Sequence, residues 1–167
     1  MPLHISKLGP ESAPLLRNLF EHYAHDMSEW FKIDTKPDGS YSFDTSKYWN
    51  GRYQVYLAKS GAAICGFAIV GSSNEWLAKP GGHDVGEFFV LRKFRRSGIG
   101  RQFAEHIWNE HPGEWLVRVL DGNRQAAPFW RTAITRYTRD AFEEEQRIIK
   151  DRAWRFFRFR CVVRSAQ

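Results

Sequence analysis

The sequence has few cysteines and no cluster of strong metal ligands. Of its 167 residues only Cys65 and Cys161 are cysteine, and both stand in apolar surroundings. No Cys/His spacing typical of zinc is present, so neither a zinc site nor a disulfide framework is expected. Both thiols are predicted to be reduced and packed. His22 and His25, with Asp26 next to them, have a helical spacing that is compatible with metal ligation. No third strong ligand is apparent in the sequence, so no metal is expected.

Long apolar runs are also missing. A helix needs about 20 consecutive apolar residues to cross a bilayer, and no run approaches that length. The first residues, Met1-Pro-Leu-His, lack the charged and apolar regions of a secretory signal. The chain is therefore expected to be cytoplasmic, with no membrane partner.

Repeats and low-complexity tracts are absent, and the composition is 43% apolar and 26% charged. These values exclude a disordered chain, a collagen-like repeat and a coiled coil. A chain of this length is expected to form a single domain over residues 1–167.

The positive charge is unevenly distributed. The net charge is +6, yet residues 1–123 carry 14 basic and 14 acidic side chains, so the whole excess lies in 124–167. Within the neutral part, five basic residues fall between 92 and 101 with no acid among them. A basic cluster around glycines favours a phosphate-bearing ligand over a diffuse nucleic-acid surface.

Apolar periodicity predicts a mixed α/β sheet. A helix is expected over 12–23, capped by Ser12, with a short one near 25–31 and a long surface loop over 34–51. Further helices are expected over 99–111 and after Asn123. Strands are predicted over 53–59, 62–70, 84–91, 115–120, 137–144 and 152–163.

The segment FFVLRKFRRSGIGRQF, residues 88–103, carries the clearest chemical signal. An apolar strand runs into a turn with Gly98 and Gly100, where a helix begins that Ser97 is placed to cap. Glycines there let the backbone approach a ligand, and first-turn amides attract phosphate. The pattern lacks the GxxxxGK[ST] of a P-loop. It also lacks the third glycine of a dinucleotide fingerprint, which Phe103 replaces.

Two segments together resemble the GNAT (general control non-repressible-related N-acetyltransferase) superfamily of acyl-coenzyme A-dependent acyltransferases. The first is Arg95-Arg96-Ser97-Gly98-Ile99-Gly100 after Phe88-Phe89-Val90. The second is Asn123, with Ala126 and Phe129-Trp130 following it, after the strand WLVRVL. The resemblance covers about residues 53–135 and implies a central twisted, mostly antiparallel sheet flanked by helices.

The resemblance also implies that acetyl-CoA is the co-substrate. The coenzyme pyrophosphate would lie on the backbone amides of Arg95, Arg96, Ser97, Gly98, Ile99, Gly100 and Arg101. The main chain of Phe89, Val90 and Leu91 would pair with the pantetheine arm, and the Val90 amide would stabilise the oxyanion. Asn123 and Phe129 would line the other side of the arm.

Amine acylation needs a base, since a lysine-like ammonium with a pKa of about 10.4 is mostly protonated at neutral pH. Glu87 is the first candidate because it is a carboxylate in an otherwise apolar strand; His83 and Asp84 follow. The alternative for Glu87 is a carboxylate paired with a nearby arginine. Trp130 stands where the family commonly has tyrosine, and indole supplies no usable proton. Either the thiolate leaves unassisted, or Tyr137 or a water protonates it.

The expected function is transfer of an acetyl group from acetyl-CoA to a primary amine through a tetrahedral intermediate. The acceptor is a small molecule or a peptide, and a homodimer is left open. The first alternative is a non-catalytic acyl-CoA sensor or interaction module on the same fold. Another is a nucleic-acid binder that uses the arginines and aromatics of 153–164, although nucleic acid is disfavoured as a partner.

Overall fold

The computed structural model describes residues 2–72 and 81–162. The strands in these ranges are β1 (Leu3–Leu8), β2 (Tyr53–Ser60), β3 (Ala63–Gly71), β4 (His83–Val90), β5 (Gly113–Leu120), β6 (Phe142–Ile149) and β7 (Arg152–Cys161). The α-helices are α1 (Ala13–Met27), α2 (Ile99–Glu110) and α3 (Ala126–Thr138). Short 3-10 turns lie at Pro10–Ser12, Ser46–Trp49 and Arg92–Phe94.

The strands form a mixed sheet in the order β1-β2-β3-β4-β5-β7-β6. The pairs β1/β2, β5/β7 and β6/β7 are antiparallel, whereas β4 and β5 are parallel. The β4/β5 ladder is described at His83↔Trp115 and Asp84↔Leu116. The predicted α/β class with a mostly antiparallel sheet is confirmed.

Most predicted elements are present, with three differences. The short helix near 25–31 is wrong, because α1 continues to Met27 and turn residues follow it. The strand predicted over 137–144 begins only at Phe142, since Ile134 and Tyr137 lie on the buried face of α3. Strand β1 was not predicted, because its six residues LHISKL mix polar and apolar side chains.

The contacts divide the chain into two compact units, so the single domain stays a prediction. The first unit comprises Met1–Val70 and Glu87–Ile99. Helix α1 starts after Ser12, whose side chain makes no capping bond. It packs its apolar stripe in a cluster with strand residues and one residue of the 34–51 loop: Leu16, Leu19, Phe20, Tyr48, Val55, Leu57, Phe67, Ile69 and Phe89.

The second unit comprises Gly71–Gly86 and Gly100–Gln167, and its core is rich in large aromatics. The indole of Trp108 lies 6.2 Å from that of Trp130 and 5.0 Å from the Tyr137 ring, centroid to centroid. Trp115 stacks on Phe159. These rings stabilise the unit by the apolar area they bury.

The state of the two cysteines agrees with the prediction from the sequence. Cys65 and Cys161 are both free thiols and both buried, which confirms the predicted packed state. Burial raises the pKa of the Cys65 thiol. Within residues 2–72 and 81–162, no helix is long and apolar enough to cross a membrane. The cytoplasmic location stays a prediction.

Candidate active site

Glu87 lies in β4 and is held by two tyrosine hydroxyls. Tyr23, on α1, donates to Glu87 Oε2 at 2.5 Å, and Tyr48, from the 34–51 loop, donates to Oε1 at 2.9 Å. Burial, followed by the charge of Glu87, raises the pKa of both tyrosines far above neutrality. Both hydroxyls therefore keep their protons and act as donors. Two tyrosine hydroxyls are thus among the partners of this carboxylate.

One face of β4 is directed towards α1. Side chains alternate along a strand, so Glu87, Phe89 and Leu91 share a face. The Tyr23 ring meets the Phe89 ring edge to face at 5.6 Å, which fixes that face against α1. The Glu87 carboxylate therefore lies among aromatic side chains of the first unit.

The peptide between Phe89 and Val90 has a fixed orientation. A Cβ on Gly66 of β3 would lie 2.0 Å from the Phe89 carbonyl oxygen, so only glycine allows this approach. Two residues on, the Leu91 amide donates to the Cys65 carbonyl at 2.8 Å. Because the peptide is trans, the Val90 N–H points away from β3. An added strand bonds to alternate residues, so of Phe89, Val90 and Leu91 only Val90 directs its amide to that side.

Arginine side chains hold the turn that follows β4. Arg95 Nε donates to the Val90 carbonyl at 2.7 Å, and its Nη2 donates to Asp26 of α1. Arg92 binds the same carboxylate through Nε at 3.0 Å and Nη2 at 2.7 Å. Burial alone would raise the pKa of Asp26, but the bonds from Arg95 and Arg92 outweigh it and lower that pKa. Of the cluster expected to face phosphate, these two arginines are engaged with the protein itself.

The turn itself has an unusual backbone. Arg96 and Gly98 adopt positive φ angles of 62° and 85°. Gly98 is exposed and adopts this conformation without steric cost, as the glycine pattern predicts. The Ser97 hydroxyl donates to the Phe94 carbonyl at 2.6 Å, a bond within the turn itself. Helix α2 then begins at Ile99, includes Gly100, and pairs Arg101 with Glu105 at 3.0 Å.

The two alternative bases lie at the other end of β4, in the second unit. Asp84 is buried and paired with Arg118 at 3.1 Å. The His83 ring packs 5.2 Å from that of Trp115, and burial lowers its pKa, so it is uncharged at neutral pH. His83 begins the strand and Val90 ends it, a separation of about 23 Å in an extended strand. Glu87, three residues before Val90, is the better placed candidate.

The second predicted motif is also placed within the second unit. Asn123 accepts the Ala126 amide through Oδ1 at 3.0 Å, so its side chain closes the start of α3. Pro128 falls in the first turn of α3, where a helix needs no amide donor. The Phe129 ring lies 4.9 Å from that of Trp130, which is buried. Tyr137 is buried as well and donates to Asn109 Oδ1 at 2.8 Å.

Several arginines of the C-terminal part form ion pairs with nearby acids, whereas Arg164 lies outside the described residues. Glu144 binds Arg131 at 2.6 Å and Arg155 at 2.7 Å, and Arg155 also binds Asp121. Further pairs join Arg158 and Arg147 to Glu145, and Arg160 to Glu114. Because these arginines are paired with acids of the protein itself, the geometry does not favour the nucleic-acid alternative.

Comparison with known proteins identifies the family. A family model described as the acetyltransferase (GNAT) family matches residues 18–133, more than half of the chain. The chain belongs to the GNAT family. It is an acyltransferase, and the resemblance stated from the sequence is confirmed. No curated protein matches the sequence.

Solved structures show the same fold at low identity. The ribosomal-protein-S18-alanine N-acetyltransferase from Escherichia coli has a TM-score of 0.66 and 16% identity, with 98% of this chain and 97% of that chain covered. The spermidine N-acetyltransferase from Vibrio cholerae, in complex with CoA and spermine, has a TM-score of 0.67 and 11% identity over 95% of each chain. A putative acetyltransferase from Salmonella typhimurium, with its cofactor acetyl-CoA, has 0.64 and 13%, over 100% and 98%.

Several residues around the site of this acetyltransferase were missed at the sequence level. Tyr23 was predicted only as part of the apolar stripe of the first helix, Tyr48 fell in the predicted surface loop over 34–51, and Gly66 was not singled out in its strand. Asp26 appeared as part of a weak metal set, whereas it is the counterion of two arginines. A glycine inside an otherwise apolar strand was the available signal for Gly66, because it often marks a close backbone approach.

Proposed function

We propose that this chain transfers the acetyl group of acetyl-CoA to the primary amine of an acceptor. The amine nitrogen attacks the thioester carbonyl carbon and forms a tetrahedral intermediate with a negatively charged oxygen. Collapse of the intermediate breaks the carbon–sulfur bond, and the coenzyme leaves as its thiolate. The nitrogen of the attacking neutral amine gives one proton to a base, so the products are an amide and the CoA thiolate, which takes up a proton from solvent.

The observation that carries this proposal is the orientation of the Val90 N–H. The Phe89 carbonyl is seated on Gly66, and Arg95 holds the Val90 carbonyl, so peptides on both sides of Val90 are fixed. A donor fixed before the reaction stabilises a developing oxyanion without reorganising, and such a donor typically contributes about 10²–10³ in rate. Val90 is the donor in this proposal.

Glu87 is the proposed proton acceptor. Its two oxygens each accept one tyrosine hydroxyl. Tyr23 and Tyr48 fix the carboxylate and keep their own protons, so the incoming proton goes to Glu87. The buried Trp130 supplies none, and a thiol pKa of about 8.5 allows the departing thiolate to leave without an acid.

Coenzyme binding is assigned to the turn and to the start of α2. The amides from Arg95 to Arg101 include the first turn of α2, where backbone N–H groups have no partner within the helix. The positive φ and exposure of Gly98 suit a close approach by phosphate. Asn123 and Phe129 complete this assignment on the pantetheine side. Acetyl-CoA or CoA accompanies two of the similar structures.

The test measures CoA thiol release from acetyl-CoA across a panel of amines, for the wild type and for Glu87→Gln. Glutamine keeps the shape, and its amide oxygen can still accept one of the two tyrosine hydroxyls, while its NH2 group can only donate to the other hydroxyl oxygen. It cannot take a proton at neutral pH. A positioned base is worth about 10²–10⁴-fold, so kcat should fall by about that factor with coenzyme affinity unchanged. Glu143→Gln, at an exposed position of β6, is the matched control and should retain wild-type turnover.

Two results would contradict the proposal. Unchanged turnover in Glu87→Gln would remove Glu87 as the base. Thermal stabilisation by acetyl-CoA without thiol release from any amine would instead support the non-catalytic sensor.

A further inference from the structure

A cavity of about 350 Å³ lies on the α1 side of β4, within the first unit. It is lined by His22, His25, Asp26, Phe89, Leu91 and Arg92. The three α1 residues share one helix face, since they are three and four positions apart. Phe89 and Leu91 lie on the same strand face as Glu87. The cavity therefore continues the row of side chains that begins at the proposed base.

The only carboxylate of this lining is already satisfied. Asp26 Oδ1 accepts two bonds from Arg92, and Oδ2 accepts one from Arg95. Its side chain is only 8% exposed, so it has little surface left for a ligand. One buried carboxylate is thus bound to two guanidinium groups, so this trio carries a net charge of +1, and the exposed Glu29 acts on Arg92 through its charge. The lining itself offers a cationic ligand no other carboxylate.

The donors of the lining, by contrast, are accessible. The Arg92 side chain is 72% exposed, and its bonds to Asp26 use Nε and Nη2 while Nη1 is the remaining nitrogen. His22 and His25 are exposed, and His25 contacts Tyr41 through Nδ1 only, at 3.3 Å. Guanidinium and imidazole N–H groups over an apolar floor suit an oxyanion attached to a hydrocarbon chain.

The distance from the base sets the length of that chain. Tyr23 binds Glu87 and Asp26 binds Arg92, and these two α1 residues are three positions apart, a rise of about 4.5 Å. On β4, Glu87 and Leu91 are four positions apart, about 13 Å in an extended strand. An amine at Glu87 and an anionic group at Arg92 would be separated by a distance between these limits.

We propose that this cavity binds a carboxylate or phosphate group of the acceptor, at the far end of a chain whose primary amine reaches Glu87. The acceptor class is therefore an ω-amino acid or another amine with a distant anionic group. An α-amine next to its own carboxylate is too short. This inference rests on the proposed function, because it assigns the acceptor of the same site.

The experiment compares matched acceptors. Linear ω-amino carboxylates of two to six carbons are assayed with acetyl-CoA beside alkylamines of the same lengths, and aminoalkyl phosphates distinguish the two anions. We expect kcat/KM to rise with chain length in the carboxylate or phosphate series and to exceed that of the matching alkylamine by about tenfold. That factor corresponds to one charge-assisted bond at an exposed site. The preference should weaken at high salt.

Variants locate the effect. Arg92→Gln removes the charge while Arg95 still holds Asp26. It should abolish the anion preference mainly through KM, so that each anionic amine and its matching alkylamine give the same kcat/KM. Lys93→Gln removes a neighbouring charge outside the cavity and is the control, expected to behave as the wild type. Melting curves verify that both variants fold.

Each of these experiments has a result that would overturn the inference. Equal turnover of anionic and plain amines by the wild type, or equal effects of Arg92→Gln and Lys93→Gln, would overturn the inference. If no amine is acetylated, calorimetric binding of 6-aminohexanoate and hexylamine to the wild type and to Arg92→Gln still decides it. Tighter binding of the carboxylate that Arg92→Gln loses would support the cavity assignment although the proposed function had failed.

Discussion

Gly66 controls the peptide on which the proposed oxyanion site depends. Its missing side chain lets the Phe89 carbonyl approach β3, and the trans geometry then sets the direction of the Val90 N–H. The absence of a side chain at Gly66 on β3 thereby determines the orientation of an amide on β4. A residue of this kind acts through another and does not touch the substrate, so it is a positioning residue.

Gly66→Ala should lower both stability and turnover. The new Cβ would lie 2.0 Å from the Phe89 oxygen, so the peptide must rotate or the strands must separate. Overpacking of this kind costs about 1–3 kcal/mol, and a displaced donor should reduce kcat by about tenfold or more. Denaturant unfolding and thiol-release kinetics measure the two effects.

Ile69→Val on the same strand is the matched control. It removes a buried methyl group and should cost about 0.5–1.5 kcal/mol while kcat stays close to the wild type. If both variants lose turnover in proportion to stability, the orientation argument is wrong.

At the residue scale, the sequence identified Glu87 but not its partners. A carboxylate in an apolar strand can be recognised from the sequence alone. Tyr23 and Tyr48 lie 64 and 39 positions away from Glu87, the first in a predicted helix and the second in a predicted surface loop. Only packing reveals which tyrosines direct a hydroxyl towards this half-buried acid. The role of Asp26 was hidden for the same reason.

At the scale of elements, the turn between β4 and α2 carries the coenzyme assignment. Gly98→Asp and Gly98→Asn test it as a pair, because the two side chains have nearly the same shape and both tolerate a positive φ. A carboxylate beside the bound diphosphate should weaken acetyl-CoA binding by about tenfold relative to the amide. Calorimetric titration of both variants measures this ratio, and equal affinities would exclude phosphate from the turn.

Strongly periodic elements were predicted well and weakly periodic ones were not. The buried strands β3 and β5 are almost uniformly apolar, and α2 places Phe103 and Ile107 on one buried stripe. Edge strand β1 alternates less clearly, and its strand state depends on pairing with β2. The end of α3 contains Ile134, Thr135 and Tyr137, which favour strands locally, and burial against the second unit's core overrides that preference.

At the scale of the whole molecule, ion pairs between strands and helices make stability depend on pH. Hydrogen bonds from Arg131, and then from Arg155, lower the pKa of Glu144 to about 2. A lowered pKa contributes stability above the unfolded-state value, near 4.5, and that contribution is lost as pH falls towards about 2. The free energy of unfolding should therefore decrease across this window, by at most about 1.4 kcal/mol per pH unit from this group.

Glu144→Gln should flatten the acid side of the stability curve measured by denaturant titration at several pH values. Glu143→Gln, at an exposed position next to it, should leave the curve unchanged. A wild-type slope retained in Glu144→Gln would place the acid sensitivity in other carboxylates, such as Asp26.

Arg95 donates hydrogen bonds both to Asp26 and to the Val90 carbonyl, and Asp26 lies 69 residues before Arg95 in the chain. Its counterion comes from the last turn of the first helix, so a fragment beginning at β2 would retain the glycine turn but leave Arg92 and Arg95 to repel each other. Such a truncated chain would keep every residue of the coenzyme motif and still lose the shape of the loop that presents it. The amino-terminal helix is thus part of the scaffold of a motif encoded far downstream.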